Sequence, residues 1–354
     1  MKHKTVVTIT GIRPDFIRMS EVFKKLDVSF NHILIHSGQH YDRMLSDIFF
    51  EDLNIRQPDY NLRVGNEGKK HYVQQAELGI KLIELFKEKN IKPNIILFLG
   101  DSNSVLASVP LRKEGYKIGH IEAGMRSYDE RMFEEINRKV CDHVSNMLLV
   151  YHQNYKQKAM REGISEDRIF VVGNTIVEPL RKIADFSYKG TKKHILLDIH
   201  RPENFNCSKR LQSILDFANL CKRKTNTPVK MLKFGRTMTA INNFDLNLNN
   251  IETMELMGYK TFVRMMQDSL FIISDSGTAQ EEPALLKIPV IAPRDFTERP
   301  ESVQNGNSIM LNVLDKECYN GCIEWAAKTV PGNSAWLGDG TASRQIVRVL
   351  EENL

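Results

Sequence analysis

No run of apolar residues in this 354-residue chain approaches the length that spans a bilayer, which excludes a transmembrane helix. Nor does an apolar leader with a small-residue cleavage site open it; Met1-Lys2-His3-Lys4 passes straight into the strand-like Thr5–Thr10, so a cytoplasmic location is expected. Cysteine is sparse: Cys141, Cys207, Cys221, Cys318 and Cys322 are odd in number and scattered, which argues against a disulfide framework and reads as reduced thiols. Cys318 and Cys322 have no second Cys/His pair at metal-site spacing, so no metal is expected. Also missing is a Gly-x-Gly-x-x-Gly turn after a strand; Gly338-x-Gly340 lacks both the third glycine and the strand, and no cofactor is expected. There is no internal repeat or low-complexity tract. The formal charge of +5 is spread along the chain, and short runs such as Lys222–Lys224 read as solvated helix ends, so nucleic acid is not an expected partner. The excess suits a small anionic ligand.

What is present is the composition of a globular protein, 42% apolar and 26% charged, on a chain longer than one core usually organises. Short β-branched runs alternate with amphipathic stretches, the pattern of parallel sheets with helices on both faces. Strands are predicted at Thr5–Thr10, Ile33–His36, Ile95–Leu99, Ile118–Ile121, Met147–Val150 and Ile169–Val172, then at His194–Leu197, Val229–Lys233, Ile251–Met254, Leu270–Ser274 and Val290–Ala292. Helices are predicted near Leu211–Lys222, Tyr259–Met266 and Ala279–Leu286, and the polar stretch Asp185–Lys193 reads as a linker. The fold class is therefore α/β: two doubly wound Rossmann-like domains, residues 1–184 and 194–340, with 341–354 as a C-terminal helix returning to the first. Such domains are expected to face across a cleft and bind ligand at the carboxyl ends of their strands.

Those strand ends are rich in chemistry: Gly11-Ile12-Arg13-Pro14, Ser37-Gly38-Gln39-His40, Gly100-Asp101-Ser102, Glu122-Ala123-Gly124, Gly173-Asn174-Thr175, His200-Arg201-Pro202-Glu203 and Asp275-Ser276-Gly277. Any one serves as a turn or helix cap; seven in one chain ask for more. Pro14 fits a first helical turn, where open amides and a cation would meet a phosphate, and Ser276-Gly277-Thr278 has the same logic. Glu281-Glu282, one turn into the next helix, could accept ribose hydroxyls or compensate the helix dipole.

Together with His120-Ile121-Glu122-Ala123-Gly124, Glu134-Glu135-Ile136-Asn137-Arg138 and Thr297-Glu298-Arg299-Pro300-Glu301, these motifs resemble, in order, the non-hydrolysing UDP-N-acetylglucosamine 2-epimerase family. The resemblance implies the two-domain build shared with one large class of glycosyltransferases, a homodimer, and inversion of carbon 2 of a UDP-linked N-acetyl sugar. It implies Asp101, Glu122 and Glu134 as catalytic carboxylates, Arg13 and His200 at the diphosphate, and Arg138 orienting Glu134. Ser276 and Gly277 would hold phosphate and Glu282 the ribose, with Arg18, Arg201 and Arg299 as further substrate-binding cations. The chemistry is consistent: a proton on carbon 2 is not acidic, and without a dinucleotide the remaining route expels UDP from carbon 1 while a base takes that proton. A glycosyltransferase of the same build, a hydrolysing epimerase and a catalytically silent nucleotide-sugar sensor are the rival readings.

Two departures stand out. Lys233-Phe234-Gly235-Arg236 and Gln39-His40-Tyr41-Asp42 differ from the family groups that hold a second, activating nucleotide sugar, which implies that no obligatory activator acts here. The stretch between Gly124 and Glu134 is short and, with Asp198–Phe205, resembles the branch that forms UDP-N-acetyl-L-fucosamine; Met132 or Phe133 could face a 6-deoxy methyl group, or simply pack the helix start.

Overall fold

Residues 4–38, 50–65 and 70–354 are described by the computed structural model. Their contacts divide the chain into two compact units, residues 1–179 with 337–354, and residues 180–336.

In the first unit, seven parallel strands lie in the order β3-β2-β1-β4-β5-β6-β7. They are β1 (Thr5–Thr10), β2 (Asn31–His36), β3 (Tyr60–Asn61), β4 (Ile95–Leu99), β5 (Ile118–Ala123), β6 (Met147–Val150) and β7 (Ile169–Val171). Nearly every residue of β1, β4, β5 and β6 is buried, as expected where helices cover both faces of a parallel sheet. Val7, Ile9, Ile96, Phe98 and Ile118 form the centre of one such core with the helix His71–Glu88. The helix Ala342–Asn353 packs on Arg13–Ser29, and the Glu178 carboxylate caps its start, accepting from Ser343 N at 2.8 Å and Ser343 Oγ at 2.6 Å.

The second unit repeats the plan with six parallel strands in the order β10-β9-β8-β11-β12-β13. These are β8 (His194–Asp198), β9 (Val229–Leu232), β10 (Glu252–Met254), β11 (Ser269–Ser274), β12 (Val290–Ala292) and β13 (Ser308–Met310). Ile195, Leu197, Leu215, Phe217, Ile273 and Ile291 anchor its core. The segment predicted as a linker is tied to the helix Tyr259–Gln267 and the residue after it: Gln267 Nε2 donates to Asp185 O at 2.7 Å, and Thr191 Oγ1 to Asp268 Oδ1 at 2.8 Å.

One predicted helix needs correction. Ala279–Leu286 is a 3-10 turn, Thr278–Gln280, followed by the short helix Glu282–Leu286. Pro283 has no N–H to continue a ladder from the turn, but it suits the first positions of a new helix.

Each sheet has one place where chain order reverses. In the first it lies between β1 and β4, in the second between β8 and β11. Doubly wound sheets bind ligands beyond the carboxyl ends of such neighbouring strands, because the connections leave in opposite directions and open a crevice. That rule selects residues 11–15 and 100–102 in one unit, and 198–201 and 275–277 in the other.

Candidate active site

In the first unit, β1 ends in Gly11-Ile12 and the helix Arg13–Ser29 begins at once. Here the expectation of open amides fails. Asp15 turns back and accepts from Gly11 N at 2.7 Å and Ile12 N at 3.1 Å, so the turn's own donors are taken before any phosphate arrives. Burial pushes the Asp15 carboxyl up to about 7, the two amides work against that, and Glu122 and Asp101 add to it. The Arg13 side chain lies outside the described residues, as do Gln39, His40 and Asp42.

Glu122 stands near the end of β5 at an irregularity: the pairing of β5 with β6 shifts register between Ile121 and Ala123. Its φ of 68° lies in the left-handed region, which costs a side-chain-bearing residue about 1–3 kcal/mol and recurs at working sites. The extra residue re-aims the carboxylate, whose Oε2 meets Arg18 Nη1 at 2.9 Å, both side chains being buried. Arg18 also reaches Asn174 Oδ1 at 3.5 Å.

Asp101 follows β4. Its carboxylate pairs with Arg138 Nη2, while its backbone carbonyl accepts from Asn137 Nδ2 at 2.9 Å, so two residues of the helix Phe133–Val144 hold it. The other Arg138 nitrogen, Nη1, donates to Glu135 Oε2 at 3.1 Å. Arg138, expected to orient Glu134, thus bridges Glu135 and Asp101. Glu134 sits half-buried in the first turn of that helix.

A buried network brackets both carboxylates. His120 is hydrogen-bonded through Nε2 to Gly100 O at 2.7 Å and through Nδ1 to Asp142 Oδ1 at 2.6 Å; Asp142 Oδ2 accepts from Gly124 N at 3.0 Å. Burial would lower the imidazole pKa, but Cys141 and Asp142 hold it well above the usual value. A charged ring donates from both nitrogens, which fixes Gly100 just before Asp101 and, through Asp142, Gly124 two residues after Glu122.

In the second unit, His200 Nδ1 lies 2.9 Å from Asp198 Oδ1 and 3.6 Å from Asp275 Oδ1. Burial would lower this imidazole too; the two aspartates more than reverse it, so its pKa is raised. Phe234 tilts over the ring at 4.8 Å. Among the described residues Nε2 has no hydrogen-bond partner, and it is the atom left for a ligand. Asp198, His200 and Asp275 are also close enough to share a cation. Their oxygens, however, serve protein donors: Asp275 accepts from His200 N, Arg201 N and Asn204 Nδ2, and Asp198 Oδ2 from Ser274 Oγ. The cluster reads as a mount for His200.

Behind Gly277 the charges are mostly cationic. Glu298, fully buried, draws in Arg299 Nη1 at 2.5 Å, Arg294 Nη2 at 3.1 Å and Arg201 Nη2 at 3.9 Å, and Glu281 takes Arg299 Nε at 2.8 Å. Arginines gathered at the end of a strand can meet an anion. A Cβ on Gly277 would overlap Arg299 and stand 2.7 Å from Glu298 Oε1, so only glycine lets the backbone run beside these groups. Ser276 N is already taken by Ser274 Oγ at 3.1 Å, and Glu282 Oε1 accepts from Tyr259 Oη at 2.6 Å.

Sequence reasoning placed Asp101 with Arg138, and Arg201 with Arg299, among residues that do converge. It passed over Asp15, Glu135, Asp142 and Glu298. Asp15 occupies the third helical position after a turn, where an acid caps. Adjacent glutamates on a helix project about 100° apart, so one of Glu134 and Glu135 had to turn from the other's surroundings.

Strand-end carboxylates paired with buried arginines, and a cation cluster at the switch point of a second sheet, define a two-unit doubly wound α/β enzyme. The chain belongs to the UDP-N-acetylglucosamine 2-epimerase family, a family of isomerases, whose model matches residues 24–351. It is 36% identical to the UDP-N-acetylglucosamine 2-epimerase of Methanococcus maripaludis, over 97% of this chain and 97% of the relative. It is 30% identical to the UDP-2,3-diacetamido-2,3-dideoxy-D-glucuronate 2-epimerase of Pseudomonas aeruginosa, over 98% of this chain and 99% of the relative. The solved structure of the Methanocaldococcus jannaschii UDP-GlcNAc 2-epimerase, in complex with UDP-GlcNAc and UDP, superposes with a TM-score of 0.91 at 31% identity, covering 99% of this chain and 100% of that one. Among the described residues no helix is long and apolar enough to cross a membrane.

Proposed function

We propose that this chain interconverts UDP-N-acetylglucosamine and its carbon 2 epimer by eliminating and re-adding UDP. The observation that carries the reading is the pair of strand-end carboxylates, Glu122 and Asp101, each held by its own arginine near the buried Asp15. One carboxylate removes the carbon 2 proton as the bond from carbon 1 to the diphosphate oxygen breaks, and the carbon 1–carbon 2 double bond of a glycal forms. A proton then returns to carbon 2 from the opposite face, and the diphosphate oxygen re-bonds to carbon 1. Glu134 completes the carboxylate set, so both faces have an acid or base. His200, Arg201 and Arg299, with Arg13 and Arg18, balance the departing diphosphate, while Ser276, Gly277 and Glu282 hold phosphate and ribose.

The names of the relatives support N-acetylglucosamine as the sugar. The 6-deoxy-L-sugar of the fucosamine branch rests on the short segment before Glu134, where Met132 is buried and Phe133 exposed. Family resemblance also supports a cytoplasmic homodimer; light scattering tests the dimer. The function is tested by giving purified protein UDP-N-acetylglucosamine and the 6-deoxy-L analogue separately and following both epimers and free UDP by NMR. Epimer without net UDP release is expected, faster from glucosamine. Preference for the 6-deoxy sugar would transfer the assignment to that branch, free N-acetylmannosamine would mean hydrolysis, and turnover only with an acceptor sugar would mean glycosyl transfer.

A further inference from the structure

Glu135 is completely buried, yet it carries a carboxylate surrounded by donors. Oε2 accepts from Ser127 N at 2.9 Å, Ser127 Oγ at 3.0 Å and Arg138 Nη1 at 3.1 Å, and Oε1 from Tyr128 N at 3.2 Å. Ser127 and Tyr128 belong to the loop between β5 and the helix Phe133–Val144; Ser127 Oγ accepts in turn from Asp129 N at 3.3 Å. Tyr128 has a φ of 57°, a left-handed conformation that a tyrosine keeps only when something fixes it. Glu135 holds that residue's N–H. Through Arg138 the same carboxylate reaches Asp101.

From this geometry we infer that Glu135 is a positioning residue, which locks the β5–helix loop and the Arg138 fork so that Glu134 and Asp101 stand in working orientation. The inference rests on the proposed epimerase reading and deepens it. Fixing Glu135 fixes its neighbour, because one helical residue sets the direction of the next by about 100°. The Arg138 guanidinium, pinned at Nη1, can offer Nη2 to Asp101 in one orientation only. A residue that merely stabilised the fold would lower the melting temperature and leave the turnover of the folded fraction intact.

The test is Glu135→Gln in the full chain, with kcat and KM for UDP-N-acetylglucosamine and the Kd for UDP measured on folded protein. The amide keeps size and one acceptor oxygen but sets an NH2 against donors. A kcat lower by roughly tenfold to a hundredfold is expected, with KM and Kd within about twofold of wild type. Should Glu135→Gln fail to fold, Ser127→Ala removes one donor to Glu135 Oε2, and a fall of about threefold or more in kcat with the same split is expected. Wild-type kcat in the folded variant overturns the inference, and so does a parallel loss of UDP affinity, which would mean that the whole site had collapsed. An active wild type beside an unaffected variant refutes only the role of Glu135. A wild type inactive on UDP sugars refutes the epimerase reading and this inference with it.

Discussion

The two units share a doubly wound plan and a switch point, but they spend charge differently. In the first, acids pair with buried arginines, Glu122 with Arg18 and Asp101 with Arg138, and the backbone at Glu122 is bent into a left-handed conformation to aim its side chain. In the second, arginines gather around Glu298 and Glu281, and two aspartates hold one histidine. Acids paired with arginines can exchange protons without carrying a large field; arginines gathered at a strand end can meet an anion. Under the proposed function the first unit would move protons and the second would grip diphosphate, so separate losses are expected when either is damaged.

The sharpest break should come from Glu122→Gln. An amide keeps the shape and the contact with Arg18 but cannot exchange a proton, so kcat should fall roughly a hundredfold or more while UDP binding, measured by calorimetry, stays near wild type. An unchanged kcat would return Glu122 to a structural role. Next in size is His200→Gln, expected to raise the UDP Kd about tenfold by removing one charge-assisted contact. Its pH dependence sharpens the comparison. With its pKa raised, His200 is cationic below that value and loses its charge as pH rises through it, so wild-type UDP affinity should weaken with rising pH and the variant's should not. Equal slopes in the two proteins would remove His200 from the diphosphate.

Smallest is an effect on stability from the first unit. Asp15 binds its proton up to about 7 in the fold against 3.8 unfolded, so between those values the folded state holds more protons and stability falls as pH rises. Urea denaturation of wild type and Asp15→Asn at about pH 5 and about pH 8 should show the fall only in wild type. A variant with the wild-type slope would place the titrating group elsewhere.

The strands were legible wherever they are apolar and interior to the sheet: Thr5–Thr10, Ile95–Leu99, Met147–Val150 and Val290–Ala292 lie where their β-branched runs predicted. Tyr60–Asn61 and Ser308–Met310 were not, since each is a two- or three-residue strand at the edge of its sheet, half exposed and partly polar. Candidate residues at strand ends could be picked out because the switch-point rule says where to look. Their arrangement could not: the left-handed backbone of Glu122 depends on how β5 meets β6, and the contact of Arg138 with Glu135 depends on helix phase and loop path. The helix expected at Ala279 failed for a local reason, Pro283, that the sequence did display.

The division of labour between the units rests on a proton leaving carbon 2, and deuterium oxide tests it most directly. Wild-type protein is incubated with UDP-N-acetylglucosamine in deuterium oxide, and carbon 2 of both epimers is followed by NMR as the mixture equilibrates. Deuterium should enter carbon 2 of the product at the first turnover and accumulate in the recovered substrate as the reaction reverses. Epimerisation that keeps the original hydrogen at carbon 2 would contradict the account.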